Sequence, residues 1–268
     1  MGAAGERPLE TGWLADTPVE DNLFRKFLHN QAELNELLAA SAEGGRSLRT
    51  DDVVLNDHCQ PVVFLNQALL LRPLADRDDP VLDEIEAFFG ADGASPGCLL
   101  SAWPTPDLAA RGWALFGHPA FVARGGWPLP PSGSTDGVEI RDIDASSIDV
   151  FDRVMVDGYP MPEAADLPPG SVYPTGALDH GLRLRVGCVD GVPLAAGAGY
   201  VGHGVVNMCG AATLPAARRR GVWGALVRAR IDDAPDLPAV AFTSDYSRPG
   251  FDHLGFLVVT RFTLWGRM

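Results

Sequence analysis

The stretch from Leu182 to Leu226 constrains the fold of this 268-residue chain more than any other. "LRLRVGCV" and "VPLAAGAGYV" are apolar runs separated by Asp190-Gly191, a pair that favours the left-handed turn of a tight hairpin. "GHG" then turns the chain into "VVNMCGAATL". Three strands joined this closely form an antiparallel meander. Pro215 ends the third strand because it has no N–H to give to a ladder. A helix is predicted from about Gly221, with Val222, Ala225, Leu226 and Ala229 as its buried stripe. "PAVAFTS" reads as a strand, "SRPGFDHLG" as a short helix or turn, and "FLVVTRFTLW" as one further strand.

The preceding residues alternate between the two periods. A first helix lies in "DTPVEDNLFRKFLHNQAELNELLAA", with Thr17 as N-cap, Pro18 at the first helical position and Glu20 completing a capping box. Leu23, Phe27, Leu34, Leu37 and Leu38 fall on one face. "DDVVLND" and "PVVFLNQALLL" read as strands, "DDPVLDEIEAFFG" as a helix with Pro80 near its start and Gly90 at its end, and "CLLSAW" as a strand. "TPDLAARGWALFG" reads as a short helix capped by Thr105, and "PAFVAR" as another strand. Arg124–Gly137, "RGGWPLPPSGSTDG", is Pro/Gly/Ser-rich and aperiodic, so residues 1–135 and 136–268 are read as two α/β domains. The second opens with the strand "VEIRDID", the helix "ASSIDVFDRVMVDGY" and a proline-rich loop, "PMPEAADLPPGSVYPTG".

Charge sharpens the question that "ARRRG" raises. The chain carries a net charge of −14 and a single lysine, Lys26, yet places three arginines together at Arg218–Arg220. Residues 1–135 hold 19 acids and 9 bases, whereas residues 136–268 hold 16 and 12, so the arginines lie in the less anion-repelling half. The first amides of a helix have no internal partners, and the helix dipole favours anions there. Gly221 removes the Cβ and lets a ligand approach the backbone. Arginines beside such a turn suit a phosphate or pyrophosphate; the competing reading is a solvated patch. A phosphate-loop motif is absent, and the glycines at Gly197 and Gly199 lie inside a strand, which excludes a dinucleotide fingerprint.

In this context the segment resembles the acyl-CoA-binding element of the GNAT acyltransferase superfamily, [QR]-x-x-G-x-[GA] at a helix start. Arg218 stands at the first position, Gly221 at the second, and Trp223 where a small residue is usual. "FDHLGF", Phe251–Phe256, is similar to the family's closing Y-x-x-x-G-F element, and the order of elements over 138–268 also matches. The resemblance implies an α/β fold with a mixed sheet, and for residues 1–135 a degenerate GNAT-like repeat in tandem; an unrelated α/β domain with its own ligand stays open. It implies acetyl-CoA as acyl donor. Backbone amides around Arg219, Arg220, Gly221, Val222, Trp223 and Gly224 would hold the pyrophosphate, with Arg218 beside them. The strand end Ala212, Thr213 and Leu214 would pair with pantetheine, and Ser247 would approach the thiol end. Tyr159 and Glu163 fall on the implied acceptor wall.

Acyl transfer to an amine needs a neutral nucleophile, oxyanion stabilisation and a proton for the thiolate. Phe251 occupies the position of the family's proton-donating tyrosine and cannot donate. Tyr246, Ser247 or a water are the candidate replacements, Asp245 the leading acid/base or amine anchor, and Asn207 a candidate for orienting substrate; two-residue alternation puts Asn207, Cys209, Ala211 and Thr213 on one face. The expected activity is N-acetylation of a primary amine on a small molecule. Acetylation of a protein or peptide amine, and a CoA-binding sensor or scaffold without turnover, remain as alternatives. A pI of 4.7 argues against nucleic acid. No apolar run approaches the ~18–20 residues of a membrane span, and no signal peptide or metal-ligand spacing is evident. Cys59, Cys98, Cys188 and Cys209 are widely spaced, the reading of free thiols in a cytoplasmic protein, monomer or homodimer.

Overall fold

A computed structural model describes residues 22–90, 95–131, 137–159 and 161–267. The chain runs α1 (Leu23–Ser41), β1 (Arg46–Arg49), β2 (Val53–Asp57), β3 (Gln67–Leu70), α2 (Pro80–Gly90), β4 (Gly97–Ser101), β5 (Ala114–Gly117) and β6 (Ala120–Arg124). It continues through β7 (Val138–Ile143), α3 (Ile148–Gly158), β8 (Leu182–Val189), β9 (Val192–Gly202), β10 (Val205–Thr213) and α4 (Val222–Ile231). The closing elements are β11 (Ala239–Thr243), α5 (Arg248–His253), β12 (Leu257–Arg261) and β13 (Thr263–Arg267).

One plan is used twice. A helix precedes a three-strand antiparallel meander, a second helix crosses over, and the next strand lies parallel to the meander's last. In the first repeat this is α1, β1–β3, α2 and β4; in the second it is α3, β8–β10, α4 and β11. A parallel pair needs such a crossover, because a hairpin returns the chain antiparallel. Each sheet is therefore mixed, and the architecture is two tandem α/β repeats.

The repeats exchange a strand. The first sheet runs β1-β2-β3-β4-β13-β5 and the second β12-β6-β11-β10-β9-β8-β7. β6, from the first stretch of chain, is inserted between β11 and β12, and β13 returns from the second stretch to lie between β4 and β5. A cut at residue 135 leaves each sheet holding a strand from the other side of the cut.

α1 seals the seam. Asn22 caps it, its side chain accepting from the Arg25 amide at 2.9 Å. Phe27 is buried among Phe121 of β6, Val205 of β10, Val240 of β11 and Phe262, with the Phe27 and Phe121 rings stacked at 4.6 Å. Further along, Leu34 and Leu38 join the core beneath α3. Fully burying side chains of this size stabilises by about 1.5–3 kcal/mol each, so α1 binds the second sheet through its own core.

Four sequence readings change. "FLVVTRFTLW" is two strands in different sheets, divided at the fully buried Phe262. "TPDLAARGWALFG" forms only a 3-10 turn at Ala109–Arg111 before β5; the Thr105 hydroxyl accepts from the Trp265 indole at 2.9 Å, and Gly112 ends the turn at φ 83°. Val63–Leu65 is a 3-10 turn, so β3 begins only at Gln67. β1 is an edge strand whose largely exposed "RSLR" has no apolar signal. The capping box at Thr17, Pro18 and Glu20 lies outside the described residues, as do residues 132–136 of the linker. No helix among the described residues is long and apolar enough to cross a membrane.

Candidate functional site

The second sheet opens between its two central strands. β10 and β11 pair only at Val206–Ala239 and Asn207–Val240, then diverge towards their C-terminal ends. A bulge in β10 falls at the divergence: pairing to β9 shifts register between Asn207 and Gly210, where Gly210 takes φ 152°. The Tyr173 hydroxyl donates to the Cys209 carbonyl at 2.7 Å and sits where a Cβ at Gly210 would come within 2.1 Å of it. Arg230 of α4 donates to the Gly210 and Ala198 carbonyls at 3.1 and 3.0 Å. Its guanidinium is wholly buried and burial lowers its pKa to about 10, while Nη2 has no hydrogen-bond partner among the described residues.

The extra residue changes which way side chains point. Strict alternation puts Asn207 and Ala212 on opposite faces. Instead Asn207 bonds to α1, and Ala212 packs into the core that α1 shares with α3. The expected common face of Asn207, Cys209, Ala211 and Thr213 therefore does not form.

At the open end of β10 the chain makes a 3-10 turn at Pro215–Ala217 and enters α4. Arg219 (φ 65°) and Gly221 (φ 79°) both take left-handed backbone, unusual for a residue with a Cβ. Gly221 is the N-cap and has no side chain with which to cap, so the first-turn amides of Val222, Trp223 and Gly224 rely on something other than a capping group. Arg218, Arg219 and Arg220 are all exposed around this turn, and Arg218 reaches back to the Thr213 carbonyl at 3.5 Å. The Thr213 hydroxyl oxygen is buried without a partner among the described residues. A Cβ at Gly224 would meet nothing within 4 Å beyond its own helix among the described residues, so this point of the first turn is open. Orphan amides, three guanidiniums and an unsatisfied hydroxyl together fit a long ligand with an anionic end and amide groups.

Trp223 leaves this mouth clear. Its indole lies over Gly250, where a Cβ would come within 2.7 Å, and meets Phe251 edge to face. On the far side, Gly187 of β8 lets Val222 approach to where a Cβ would be 2.5 Å away. The bulky ring is thus turned into the packing of α5.

β11 ends in hydroxyls. Thr243 and Ser247 share a hydrogen bond at 2.6 Å, with Ser244 at 3.1 Å from Ser247. Ser247 therefore stands just beyond the C-terminal end of β11, and Thr213, Leu214 and the arginine turn at the C-terminal end of β10.

The three side chains expected to take part in the chemistry, Asp245 and Tyr246 with protons and Asn207 in orienting substrate, are held in other roles. Asp245 is gripped by Arg261, at 2.6 and 3.2 Å, and by Arg248 at 3.3 Å. The Arg261 hydrogen bond holds its carboxyl below the usual carboxylate range, the opposite of what a base near neutrality needs. Tyr246 is 91% exposed and points to water. Asn207 is buried, donating to Asn30 and Gln31 of α1 at 2.8 and 3.1 Å, so its amide joins the repeats. Tyr159 caps the end of α3 and is about half exposed; Glu163 is exposed in the following 3-10 turn. Gly158 presses on β10, where a Cβ would lie 2.9 Å from that of Ala212, which brings Tyr159 to the open end.

Tyr173, Arg230 and Asp152 escaped sequence reading. Asp152 of α3 accepts from the Gly170 amide at 2.6 Å, its other oxygen has no partner among the described residues, and burial raises its pKa to about 6. No short motif marks these residues, because each meets its partners through the tertiary fold.

The equivalent place in the first repeat is closed. β3 and β4 pair at Gln67–Cys98, Ala68–Leu99 and Leu69–Leu100, over most of β3. At the start of α2 the carboxylate of Asp79 accepts from the Ala75 and Val81 amides and is held by Arg72 at 2.7 and 2.9 Å. An internal anion already sits where the second repeat offers bare amides.

The sequence matches no family model and no curated protein. Solved structures are similar over nearly the whole chain. A GCN5-related N-acetyltransferase from Kribbella flavida aligns with a TM-score of 0.60 at 20% identity, over 89% of this chain and 94% of that one. A GNAT-family protein from Novosphingobium aromaticivorans aligns at 0.53 and 15%, over 88% and 99%. A tandem GNAT protein from the clavulanic acid biosynthesis pathway aligns at 0.51 and 11%, over 89% and 94%. These likenesses, with the repeated plan of the two sheets, show that this chain has the GNAT fold, built twice in tandem.

Proposed function

We propose that the chain is an N-acyltransferase that takes acetyl-CoA as donor and a primary amine of a small molecule as acceptor. The observation that carries this reading is the uncapped, arginine-flanked start of α4 at the open end of the β10/β11 splay. Arg218, Arg219 and Arg220 supply charge for phosphates, the amides of Val222, Trp223 and Gly224 supply donors, and Thr213 offers an unpaired buried hydroxyl to a pantetheine amide. When bound, acetyl-CoA supplies an acyl carbon activated by a thiolate leaving group.

The chain's own groups handle the rest. Ser247, hydrogen-bonded to Thr243, is the protic side chain at the β11 side of the cleft, and it stands in for the ring hydroxyl that Phe251 lacks. The amine acceptor enters from the Tyr159 side and loses its proton to solvent or to the exposed Glu163 there, since Asp245 is held by Arg261.

Gly221→Glu tests the reading. A carboxylate and a Cβ at the left-handed N-cap abolish acetyl-CoA binding in calorimetry while the far-UV circular dichroism stays unchanged; wild-type affinity in that variant overturns the seat. The placement of Asp245, Tyr246 and Asn207 favours a second reading, a CoA-binding protein without turnover. Thiol release from acetyl-CoA across a panel of amines separates the two, and tight binding with no release selects the second.

A further inference from the structure

Three exposed aromatic rings from both repeats meet at the open end of the splay. Phe64 (43% exposed) stands on the 3-10 turn Val63–Leu65, Phe116 (41%) on β5, and Tyr159 (48%) at the end of α3. Phe64 is edge-on to both others, with centroids 5.9 Å from Phe116 and 6.5 Å from Tyr159. Isolated exposed apolar residues are ordinary on a protein surface, but three contacting rings are a binding feature.

Their position ties them to the cleft. Tyr159 follows Gly158, which is packed on Ala212 and Thr213 at the end of β10. Val62 and Leu65, flanking Phe64, pack into the same core as Leu214. Phe116 lies on Gly266 of β13, where a Cβ would come within 2.0 Å of its ring, and leads through Gly117, His118 and Pro119 into β6, which pairs with β11 up to Thr243. The rings therefore arc from the end of β10 to the flank of β11, across the mouth through which an acceptor enters.

We infer that Phe64, Phe116 and Tyr159 form the acceptor platform, and that the acceptor is an amine carrying a flat apolar body. This rests on the acyltransferase reading above. Edge-on rings present a slot for a planar group. The first repeat, closed to ligands at its own parallel pair, thereby contributes specificity to the second.

The test uses the whole chain with acetyl-CoA and two amines, 2-phenylethylamine and 1,4-diaminobutane. The wild type favours phenylethylamine at least tenfold in kcat/KM. Phe64→Ala raises KM for phenylethylamine about tenfold, leaves diaminobutane and acetyl-CoA within twofold, and Phe64→Tyr restores the wild-type value. Equal use of the two amines, an equal effect of Phe64→Ala on both, or a change in acyl-chain preference instead of amine preference overturns the platform. Without turnover, calorimetry of phenylethylamine with the CoA-saturated protein reads the same contrast. Should acetyl-CoA itself fail to bind, the acyltransferase reading falls. The rings are then judged by phenylethylamine binding to the protein alone: binding lost in Phe64→Ala supports them, and no binding overturns them.

Discussion

The indole of Trp223 meets the ring of Phe251 edge to face, 4.9 Å between centroids. These are the two positions at which the chain departs from the GNAT sequence pattern, and they are in contact. Phe251 is buried and also packs on Phe256. The bulky residue at the helix start and the missing hydroxyl in the closing element are one packing solution, with Gly250 making room.

The two sites should therefore couple. Phe251→Tyr places a hydroxyl in an apolar cluster with Val227, Ile231 and Leu254 and costs about 1–3 kcal/mol. Trp223→Ala costs about 2–4 kcal/mol, because the cavity opens onto Phe251. In urea denaturation the double variant departs from additivity by at least about 0.5 kcal/mol; strict additivity would show that the contact carries no energy.

Asn207 should act on stability and leave rate alone. Asn207→Ala removes two hydrogen bonds to α1 and leaves Asn30 and Gln31 facing a void, at a cost of about 1–3 kcal/mol. Turnover per folded molecule is unchanged. A large fall in kcat at unaltered stability would return Asn207 to the reaction.

Two aspartates give opposite pH slopes. Asp245 is depressed in the folded state by Arg261, so its contribution is present above the ordinary carboxylate pKa and is lost as pH falls through the folded value. Asp245→Asn removes that acid limb. Asp152 is raised to about 6 by burial, so between about 4 and 6 the folded state holds a proton that the unfolded state has released. Stability falls as pH rises through that window. Melting curves of Asp152→Asn should gain several degrees over wild type at pH 8 and almost nothing at pH 4; an equal gain at both would mean Asp152 does not titrate as its burial implies.

The exchanged strands forbid separation of the repeats. A chain of residues 137–268 lacks β6, so β11 and β12 lose the strand that joins them, and Phe242 and Phe262 lose Phe121 and the cover of α1. Such a fragment shows no cooperative melting and no sharp amide spectrum. A folded, CoA-binding fragment would mean that the strand exchange is dispensable.

Local signals were legible and long-range ones were not. The Asp190-Gly191 hairpin, the meander, α2 from Pro80 to Gly90 and the α4 start at Gly221 all follow from turn chemistry and periodicity, which act within a few residues. The exchange of β6 and β13 was invisible, because "PAFVAR" reads as a strand whichever sheet receives it, and "FLVVTRFTLW" carries no break at Phe262. The bulge at Met208–Cys209 was likewise hidden, and with it the direction of every side chain beyond it. Asp245 looked free for chemistry since Arg261 lies sixteen residues away. The closed first repeat was anticipated only as a missing motif; the Arg72–Asp79 clamp is its physical form.

The position of β13 also orders events during synthesis. Sheet one has a gap between β4 and β5 until residues 263–267 leave the ribosome, more than 140 residues after β5 itself. An N-terminal repeat ordinarily folds while the rest of the chain is still being made. Here the first sheet keeps open edges at β4 and β5 until β13 is made, so its closure follows the synthesis of the second repeat instead of preceding it.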